Sequence, residues 1–339
     1  MRRQVTEADQ VAFESLGELD TAGAGLLVEL IGPARVARLD EWAPGLPPER
    51  RALLETVAAA LDKPEAEQAP ATNGLADILV DIGRAVSGVW NQQRTLLGFI
   101  GLTLQTLFTV VFRPRRWRIT SLVAHIERTG LDAIPIVALL TFLVGAVVAF
   151  LGATVLADFG ATIYTVNLVA FSFLREFGVL LAAILLAGRT ASAFAAQIGA
   201  MKANEEIDAI RTLGLSPVEL LVLPRVLAML ITLPILTFIG MLSGIVGGLM
   251  VCSLALDIAP AMFLAILQRD IPLNHFLVGI GKAPVFAFLI AVIGCLEGFK
   301  ASGSAQSVGE HTTSSVVQSI FMVILLDAIA ALFFMEMGW

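Results

Sequence analysis

Long apolar segments dominate the chain from about residue 130 onward. Because a helix that crosses a bilayer needs about 20 predominantly apolar residues, each of these segments is long enough to be a membrane span. Five spans are predicted, at about 133–156, 172–198, 222–255, 276–299 and 315–336. The third is long enough to contain a kink at Pro234. The pattern predicts an all-α polytopic membrane domain with five transmembrane helices over residues 119–339.

A different pattern precedes the first span. From residue 75, apolar residues recur at intervals of three and four, which is typical of an amphipathic helix. The apolar stretch at 96–112 is short for a crossing and contains Gln105, which favours an interfacial or re-entrant helix. Several arginines and Trp117 follow at 113–118, a combination that anchors segments at the cytoplasmic headgroups. Residues 75–118 are therefore predicted to form an amphipathic, interfacial helix.

The N-terminal part, residues 1–61, is polar and acidic and predicts a small soluble α/β module. Its expected elements are a helix capped by Asp20 or Thr21, a short strand at 35–39 and an amphipathic helix at 50–61. Residues 62–74 have the composition of a linker. A module this small has a marginal core of its own, so we expect it to lean on a partner.

Composition and charge support the same division. The chain is 57% hydrophobic and only 15% charged, whereas soluble domains average about a quarter charged residues, so an integral membrane protein is predicted. The net charge of -7 comes largely from the N-terminal part, and nothing in it suggests a nucleic-acid partner. The positive-inside rule predicts a cytoplasmic N-terminus and a C-terminus on the outer side of the membrane, which would be the periplasm in a double-membraned bacterium of the kind that a family resemblance described below implies. No secretory signal peptide is expected, because the N-terminal part lacks a continuous apolar core.

Charged residues inside a span are costly and usually mark a pathway. The candidate substrate path consists of Arg175, Glu176, Arg189, Lys282 and Asp327. Arg175 and Glu176, near the outer end of the second span, either line a cavity or anchor the helix at the interface. Lys282 and Asp327 are predicted to form an ion pair that locks two spans, and swapping both charges is expected to rescue either single reversal. Arg189 has no assigned role.

Small residues recur at intervals of about four in two spans. They include Gly188 and Gly199 in the second span, and Gly240, Gly244, Gly247 and Gly248 in the third. Because such rows let helix backbones approach closely, they are interpreted as packing faces.

A short polar helix is predicted directly after the second span. Asn204 is expected to cap it, and the acidic residues of its first turn suit the positive end of the helix dipole. Gly214 can act as its left-handed terminator. Its apolar stripe either packs back on its own domain or docks in a partner's groove, and its position between two spans favours the partner. The candidate coupling residues are Asn204, Glu205, Glu206, Ile207, Asp208, Ile210, Arg211, Leu213 and Gly214.

No catalytic residue is predicted. The phosphate-binding pattern G-x-x-x-x-G-K-[ST] does not occur, since Gly281 and Lys282 lack the upstream glycine and the following hydroxyl residue. The three histidines are far apart in the sequence and both cysteines lie in apolar segments, so neither a metal site nor a disulfide is expected. No cofactor is expected on this chain, and any ATP would be bound by another subunit.

Two blocks of this sequence resemble the signatures of the MlaE/YrbE permeases, the membrane subunits of ATP-binding-cassette (ABC) lipid transporters that work with MCE proteins. The first block is LREFGVLLAAILLAGRTASAFAAQIGAMKANEEIDAIRTLGLSP at 174–217. The second is GSAQSVGEHTT at 303–313, which departs from the family pattern at Gln306, Ser307 and His311. The resemblance covers about 75–339.

The resemblance implies an architecture and a set of partners. It implies an interfacial helix and five spans, a homodimer around a lipid cavity, an ABC ATPase that receives the short helix, and a periplasmic MCE protein. It also implies a phospholipid or related substrate, a location in the inner membrane of a double-membraned bacterium, and a role in maintaining outer-membrane lipid asymmetry. Arg175, Glu176, Lys282 and Asp327 match polar family positions in or near the transport path.

The N-terminal module is similar to part of a STAS domain. The run D-T-A-G at 20–23 resembles the D-S-[ST]-G turn of that family, with Ala22 at the position that carries Ser or Thr in phosphorylated members. The resemblance implies a docking or regulatory module for the ATPase.

Two other classes of function stay open on the sequence alone. One is an ATPase-independent secondary transporter or channel, and the other is a membrane scaffold whose charges are purely structural. The capped helix after the second span and the lack of an internal repeat argue against the secondary transporter.

Overall fold

The computed structural model describes residues 19–32, 36, 39, 46–61, 74–113 and 118–338. The regular structure of these residues is helical and includes no strand. The α-helices are α1 (Thr21–Ile31), α2 (Pro48–Leu61), α3 (Gly74–Val111), α4 (Ile119–Thr129), α5 (Ile134–Ala157), α6 (Thr165–Ser172), α7 (Gly178–Leu186), α8 (Ser192–Ala203), α9 (Glu206–Thr212), α10 (Leu223–Ala255), α11 (Pro260–Asp270), α12 (Leu273–Lys300) and α13 (Ala305–Glu336). Three π-helical segments, Phe173–Phe177, Ala187–Ala191 and Val218–Val222, and two 3-10 turns, Leu131–Ala133 and Thr162–Tyr164, connect some of them.

Five continuous helical segments of the described residues are long and apolar enough to cross a membrane. They are span 1 (Ile119–Ala157), span 2 (Thr162–Ala203), span 3 (Val218–Ala255), span 4 (Leu273–Lys300) and span 5 (Ala305–Glu336). The five predicted spans are therefore confirmed, and α10 continues through Pro234. Span 5 begins ten residues before its predicted start, because the Ser304 hydroxyl accepts a hydrogen bond from the Ser307 N–H and caps the helix there.

The chain divides into two compact units, residues 1–88 and 89–339. In the first unit α1 packs on α2, and Asp20 caps α1 by accepting a hydrogen bond of 2.7 Å from the Gly23 N–H. The predicted strand at 35–39 is wrong where the structure describes it, because Val36 and Leu39 are helical and buried. Two residues three positions apart share one face of a helix but opposite faces of a strand, so burial of both favours the helix.

Helix α3 confirms the amphipathic helix predicted before the first span. It is 38 residues long, and many of its apolar side chains are exposed, including Ile82, Val86 and Trp90. Most of the predicted linker, 62–73, and the residues 114–117 of the basic cluster lie outside the described residues.

Spans 1 and 3 form the closest helix contact of the second unit, and glycines make it possible. A Cβ atom at Gly247 would lie 2.0 Å from the carbonyl oxygen of Phe142, and one at Gly145 would lie 2.0 Å from that of Gly244. The packing role predicted for the glycines of the third span is thus confirmed. In span 2 the packing role is confirmed for Gly199, which packs against Val308. It is not confirmed for Gly188, because a Cβ atom added there would have no neighbour within 4 Å.

A short helix, α11, lies between spans 3 and 4, at the end of the bundle opposite α9. Phe263 anchors it in a cluster of buried side chains, and Asn167 of span 2 donates a hydrogen bond of 3.4 Å to Asp270. The hydrogen bond from Arg269 holds the pKa of the Asp270 carboxyl below its usual range. Helix α11 therefore lies at one end of the bundle, and α9 lies at the other end.

Candidate substrate-handling site

Lys282 lies at the centre of a charged cluster that joins three spans. Its ammonium donates hydrogen bonds to Asp327 Oδ1 of span 5 at 2.8 Å and to Glu176 Oε2 of span 2 at 2.5 Å. The Lys282 side chain is only 3% exposed. The predicted Lys282–Asp327 ion pair is confirmed, and Glu176 is a second carboxylate partner that the sequence did not indicate.

Arg175 extends the cluster towards the α11 end of the bundle. Its Nε atom lies 3.6 Å from Glu176 Oε1, and its Nη1 atom lies 3.4 Å from Nδ1 of His275, at the start of span 4. The guanidinium carbon also lies 5.6 Å from the centroid of the Phe171 ring, a cation–π distance. The cluster thus contains two cations and two carboxylates, contributed by spans 2, 4 and 5.

Arg175 and Glu176 belong to the π-helical segment Phe173–Phe177. Such segments are rare and frequently occur at functional sites, because the wider turn changes the direction of the side chains around it. The spacing of apolar residues in the sequence does not indicate where such a wider turn occurs. His275 was also missed, since a single histidine at a predicted span end has no distinctive pattern.

Arg189 lies apart from the cluster, in the second π-helical segment. Its Nη2 atom donates to Asp132 Oδ2 at 3.4 Å, in the 3-10 turn Leu131–Ala133 of span 1, and both side chains are partly exposed. The structure therefore brings together four of the five predicted path residues and places the fifth in a separate ion pair.

The charges of the cluster are mutually dependent. Removing one partner of a buried ion pair typically costs about 3–5 kcal/mol, because the other charge is left without compensation. Lys282 compensates two carboxylates at once, so its loss would leave Asp327 without its ion pair and Glu176 with the more distant Arg175. A site of this kind is sensitive to the charge of whatever enters it.

An apolar cavity of about 590 Å³ lies beside the cluster, between spans 1 and 2. Its lining residues are Val148, Leu151, Gly152, Val155, Leu156, Tyr164, Leu168, Ser172 and Phe177. Ser172 precedes the segment that carries Arg175 and Glu176, and Phe177 is the last residue of that segment. Pockets of about 300–1,000 Å³ are typical of small-molecule sites, and this one offers an apolar wall next to a charged group.

The short helix after span 2 is present as α9, with a different start from the predicted one. Asn204 is the C-terminal cap of α8 and does not cap α9. Glu205 takes the position before α9, in the left-handed conformation with φ 60° and without a side-chain capping hydrogen bond. The turn needed to leave span 2 at this point places Asn204 in the preceding helix. Gly214 has φ 71° and ends the segment, as predicted.

The apolar stripe of α9 divides between two environments. Ile207 is only 2% exposed and belongs to the core of the second unit, and Ile210 packs against the same core. Leu213, in contrast, is 74% exposed, and Leu215 is 48% exposed. The stripe therefore packs back on its own domain through the isoleucines, and the exposed apolar surface is limited to the turn at the end of α9.

A second charged cluster at the α9 end of spans 4 and 5 was not predicted. Glu297 is 2% exposed and accepts hydrogen bonds of 2.7 Å from Lys300 Nζ and from His311 Nδ1. His311 is one of the positions at which the second block departs from the family pattern, and its contact with Glu297 gives that departure a structural role. Spans 4 and 5 are thus joined by the Lys282–Asp327 ion pair and, at the α9 end, by the Glu297–His311 hydrogen bond.

Comparison with known proteins agrees with this architecture. The family model described as Permease MlaE matches residues 122–333. A probable ABC transporter permease protein of Rickettsia typhi is 37% identical over 196 residues, or 58% of this chain and 76% of that protein. A probable ABC transporter permease protein of Synechocystis is 39% identical over 159 residues, or 47% of this chain and 60% of that protein. Protein trigalactosyldiacylglycerol 1, chloroplastic, of Arabidopsis thaliana is 30% identical over 232 residues, or 68% of this chain and 66% of that protein.

The family match covers more than half of the chain, including all the charged residues of the candidate site. The relatives from Rickettsia and Synechocystis are named as permeases, which are membrane subunits and not enzymes, and ABC permeases work with an ATPase subunit. This chain is a multi-pass membrane protein of the same kind, and it belongs to the MlaE permease family.

Proposed function

We propose that this permease moves phospholipids or related lipids between the inner membrane and a periplasmic MCE protein, and so maintains outer-membrane lipid asymmetry. The observation that carries the proposal is the charged cluster around Lys282 beside the apolar cavity of about 590 Å³. A lipid has a polar headgroup next to long apolar chains, and the two parts of the site match these two chemistries. The Arabidopsis relative is named after a glycolipid, trigalactosyldiacylglycerol, and this name supports a lipid substrate.

Filling the apolar cavity is expected to reduce lipid binding and transfer severalfold. In Leu151→Trp the added indole occupies space between spans 1 and 2 that the lipid chains would take. The measurement is the number of phospholipids retained per purified permease, together with lipid transfer in proteoliposomes. Leu139→Trp is the matched control, because Leu139 is an exposed leucine of the same span that does not line this cavity. Equal lipid retention in both variants would argue against the cavity as the lipid site.

The proposed arrangement has an ABC ATPase at the cytoplasmic face, against the α9 end of the bundle. ATP is bound by that subunit, and this chain binds no cofactor of its own. The α11 end then faces the periplasm and the MCE protein, the N-terminus is cytoplasmic and the C-terminus periplasmic. Two copies of the permease form a homodimer around the lipid path. The basic residues near the α9 end support this orientation, since Lys202, Arg211 and Lys300 all lie there.

The ATPase is expected to contact the exposed turn after α9. Leu213→Asp places a charge on an exposed apolar side chain, so it should leave the permease folded and reduce ATPase affinity by about tenfold or more. Ile207→Asp should instead unfold the permease, because a carboxylate would be buried in its core. The measurement is co-purification of the co-expressed ATPase, with size-exclusion chromatography as the folding check.

Ile119→Asp is the control for this experiment, since Ile119 is an exposed apolar residue at the start of span 1, near the start of span 3. If co-purification is unchanged in Leu213→Asp, the ATPase docks on another surface of the permease. If no ATPase co-purifies with the wild type, the secondary transporter is favoured. The N-terminal unit is proposed to be a docking module for the ATPase, with its STAS-like character resting only on the D-T-A-G sequence at the start of α1. Removal of residues 1–61 should then weaken co-purification, and an unchanged yield would reject that role.

A further inference from the structure

A second cavity, of about 290 Å³, lies at the α9 end of the bundle and is not part of the proposed transport site. Five elements form it: helix α3, the end of span 2, helix α9, the start of span 3 and the end of span 4. The residues that carry the argument are Phe99, Leu102, Lys202, Asp208, Arg211 and Phe299. Phe299 and Lys282 are 17 residues apart on the same helix, which separates the two sites by about 25 Å along the bundle.

The wall of this cavity carries a cation without a carboxylate partner. Lys202 Nζ donates a hydrogen bond of 2.6 Å to the carbonyl oxygen of Phe299, and among the described residues no carboxylate forms an ion pair with it. Arg211 Nη1 contacts Asp208 Oδ1 at 3.1 Å, so the lining contains two cations and one carboxylate, which pairs with Arg211. An ammonium and a guanidinium with one acid between them favour an anionic ligand.

The remaining wall is apolar. Phe99 of α3 and Phe299 of span 4 meet edge to face with centroids 6.0 Å apart, and Leu102 lies on the same side of the cavity. Helix α3 is amphipathic, and its exposed apolar residues suit a position in the membrane interface. A free anion would make no favourable contact with this apolar wall, whereas a lipid chain would remove the wall from water.

We propose that this cavity binds an anionic phospholipid of the cytoplasmic leaflet, with its phosphate at Lys202 and Arg211 and an acyl chain against Phe99 and Leu102. The placement in that leaflet rests on the orientation of the proposed function, while binding itself does not depend on transport. The bound lipid contacts α9, span 2 and span 4 together. It therefore stabilises the segment through which the ATPase acts, as a bound component distinct from the transported lipid.

The test measures binding of phosphatidylglycerol to the purified full-length permease, by native mass spectrometry and by titration in detergent. The wild type should bind it more tightly than phosphatidylcholine with the same chains. Lys202→Gln with Arg211→Gln should lower the affinity about tenfold, as expected when hydrogen bonds to a charged group are lost. Asp208→Asn should raise the affinity, because it releases Arg211 from its carboxylate. A purely structural role for these residues would not produce that gain.

Arg84→Gln is the matched control, because Arg84 pairs with Asp81 at 3.0 Å with the same spacing of three residues and lines none of the described cavities. Should the double variant not fold, Arg211→Gln alone carries the test, since its side chain is 62% exposed. An equal loss in Arg84→Gln, or no preference for phosphatidylglycerol, would overturn the proposal. Competition by inorganic phosphate would indicate a free anion instead, and displacement of the lipid by added ATPase would indicate a carboxylate of that partner.

Discussion

Reversal of either charge in the Lys282–Asp327 pair is expected to abolish transport, and the swap of both charges is expected to restore it only in part. Lys282→Asp would place three carboxylates together in a buried cluster, and Asp327→Lys would place two ammonium groups there. Breaking a buried pair costs about 3–5 kcal/mol, and like charges add to that cost. In the swapped protein the carboxylate introduced by Lys282→Asp would face Glu176, so one repulsion would remain.

The sequence alone predicts full rescue by the swap, because it identifies a pair and not a cluster of three. Addition of Glu176→Gln to the swap should therefore raise transport above that of the double variant. The measurement is lipid transfer in proteoliposomes, with detergent stability of each variant as the folding check. The swap of Asp81 and Arg84 is the control, since an exposed pair contributes only about 0–1 kcal/mol. Full rescue by the double swap would show that Glu176 does not share Lys282.

The second large effect is expected from Gly247→Ala, which should destabilise the membrane domain by about 1–3 kcal/mol or more. The new methyl group would lie 2.0 Å from a backbone oxygen of span 1, a contact that only movement of the helix can relieve. Spans 1 and 3 would separate, and the close approach of Gly145 to the carbonyl oxygen of Gly244 would be lost with them. The measurement is the melting temperature of the purified permease in detergent.

Gly309→Ala provides the comparison, because Gly309 is also a helical glycine but has no neighbour within 4 Å of the added atom. Alanine is the better helix former, so this variant should be as stable as the wild type or more so. If both variants melt at the same temperature, the close contact between spans 1 and 3 does not limit stability.

The residues that the sequence predicted correctly share a local or one-dimensional signal. The five spans follow from the length of the apolar segments, and Asp20 and Gly214 follow from the preferences of helix ends. Lys282 and Asp327 could be paired because each is costly alone in the membrane and both lie at similar depth. No comparable rule identified Glu176 as a partner, because its position near the end of a span also suited interfacial anchoring.

The incorrect predictions also share one cause. Asn204 has the chemistry of a helix cap, but the turn after span 2 assigns it to the preceding helix. Ile207 lies on a stripe that would suit a partner, yet the core of its own domain already covers it. The periodicity of apolar residues shows that one face of a helix is apolar. It does not show which surface buries that face.

The sequence by itself determined the class of protein, the number of spans, the glycine contact of span 3 and the residues that carry charge in the membrane. The tertiary structure decided which of those charges meet, where the two cavities lie and which leucine remains exposed. The physical reason is that hydrophobic length and periodicity depend on neighbours along the chain, whereas the rotation and depth of one helix against another depend on packing between distant segments. The π-helical segments at Arg175 and Arg189 add to this, since one extra residue in a turn rotates the next part of the helix by about 100° without altering composition.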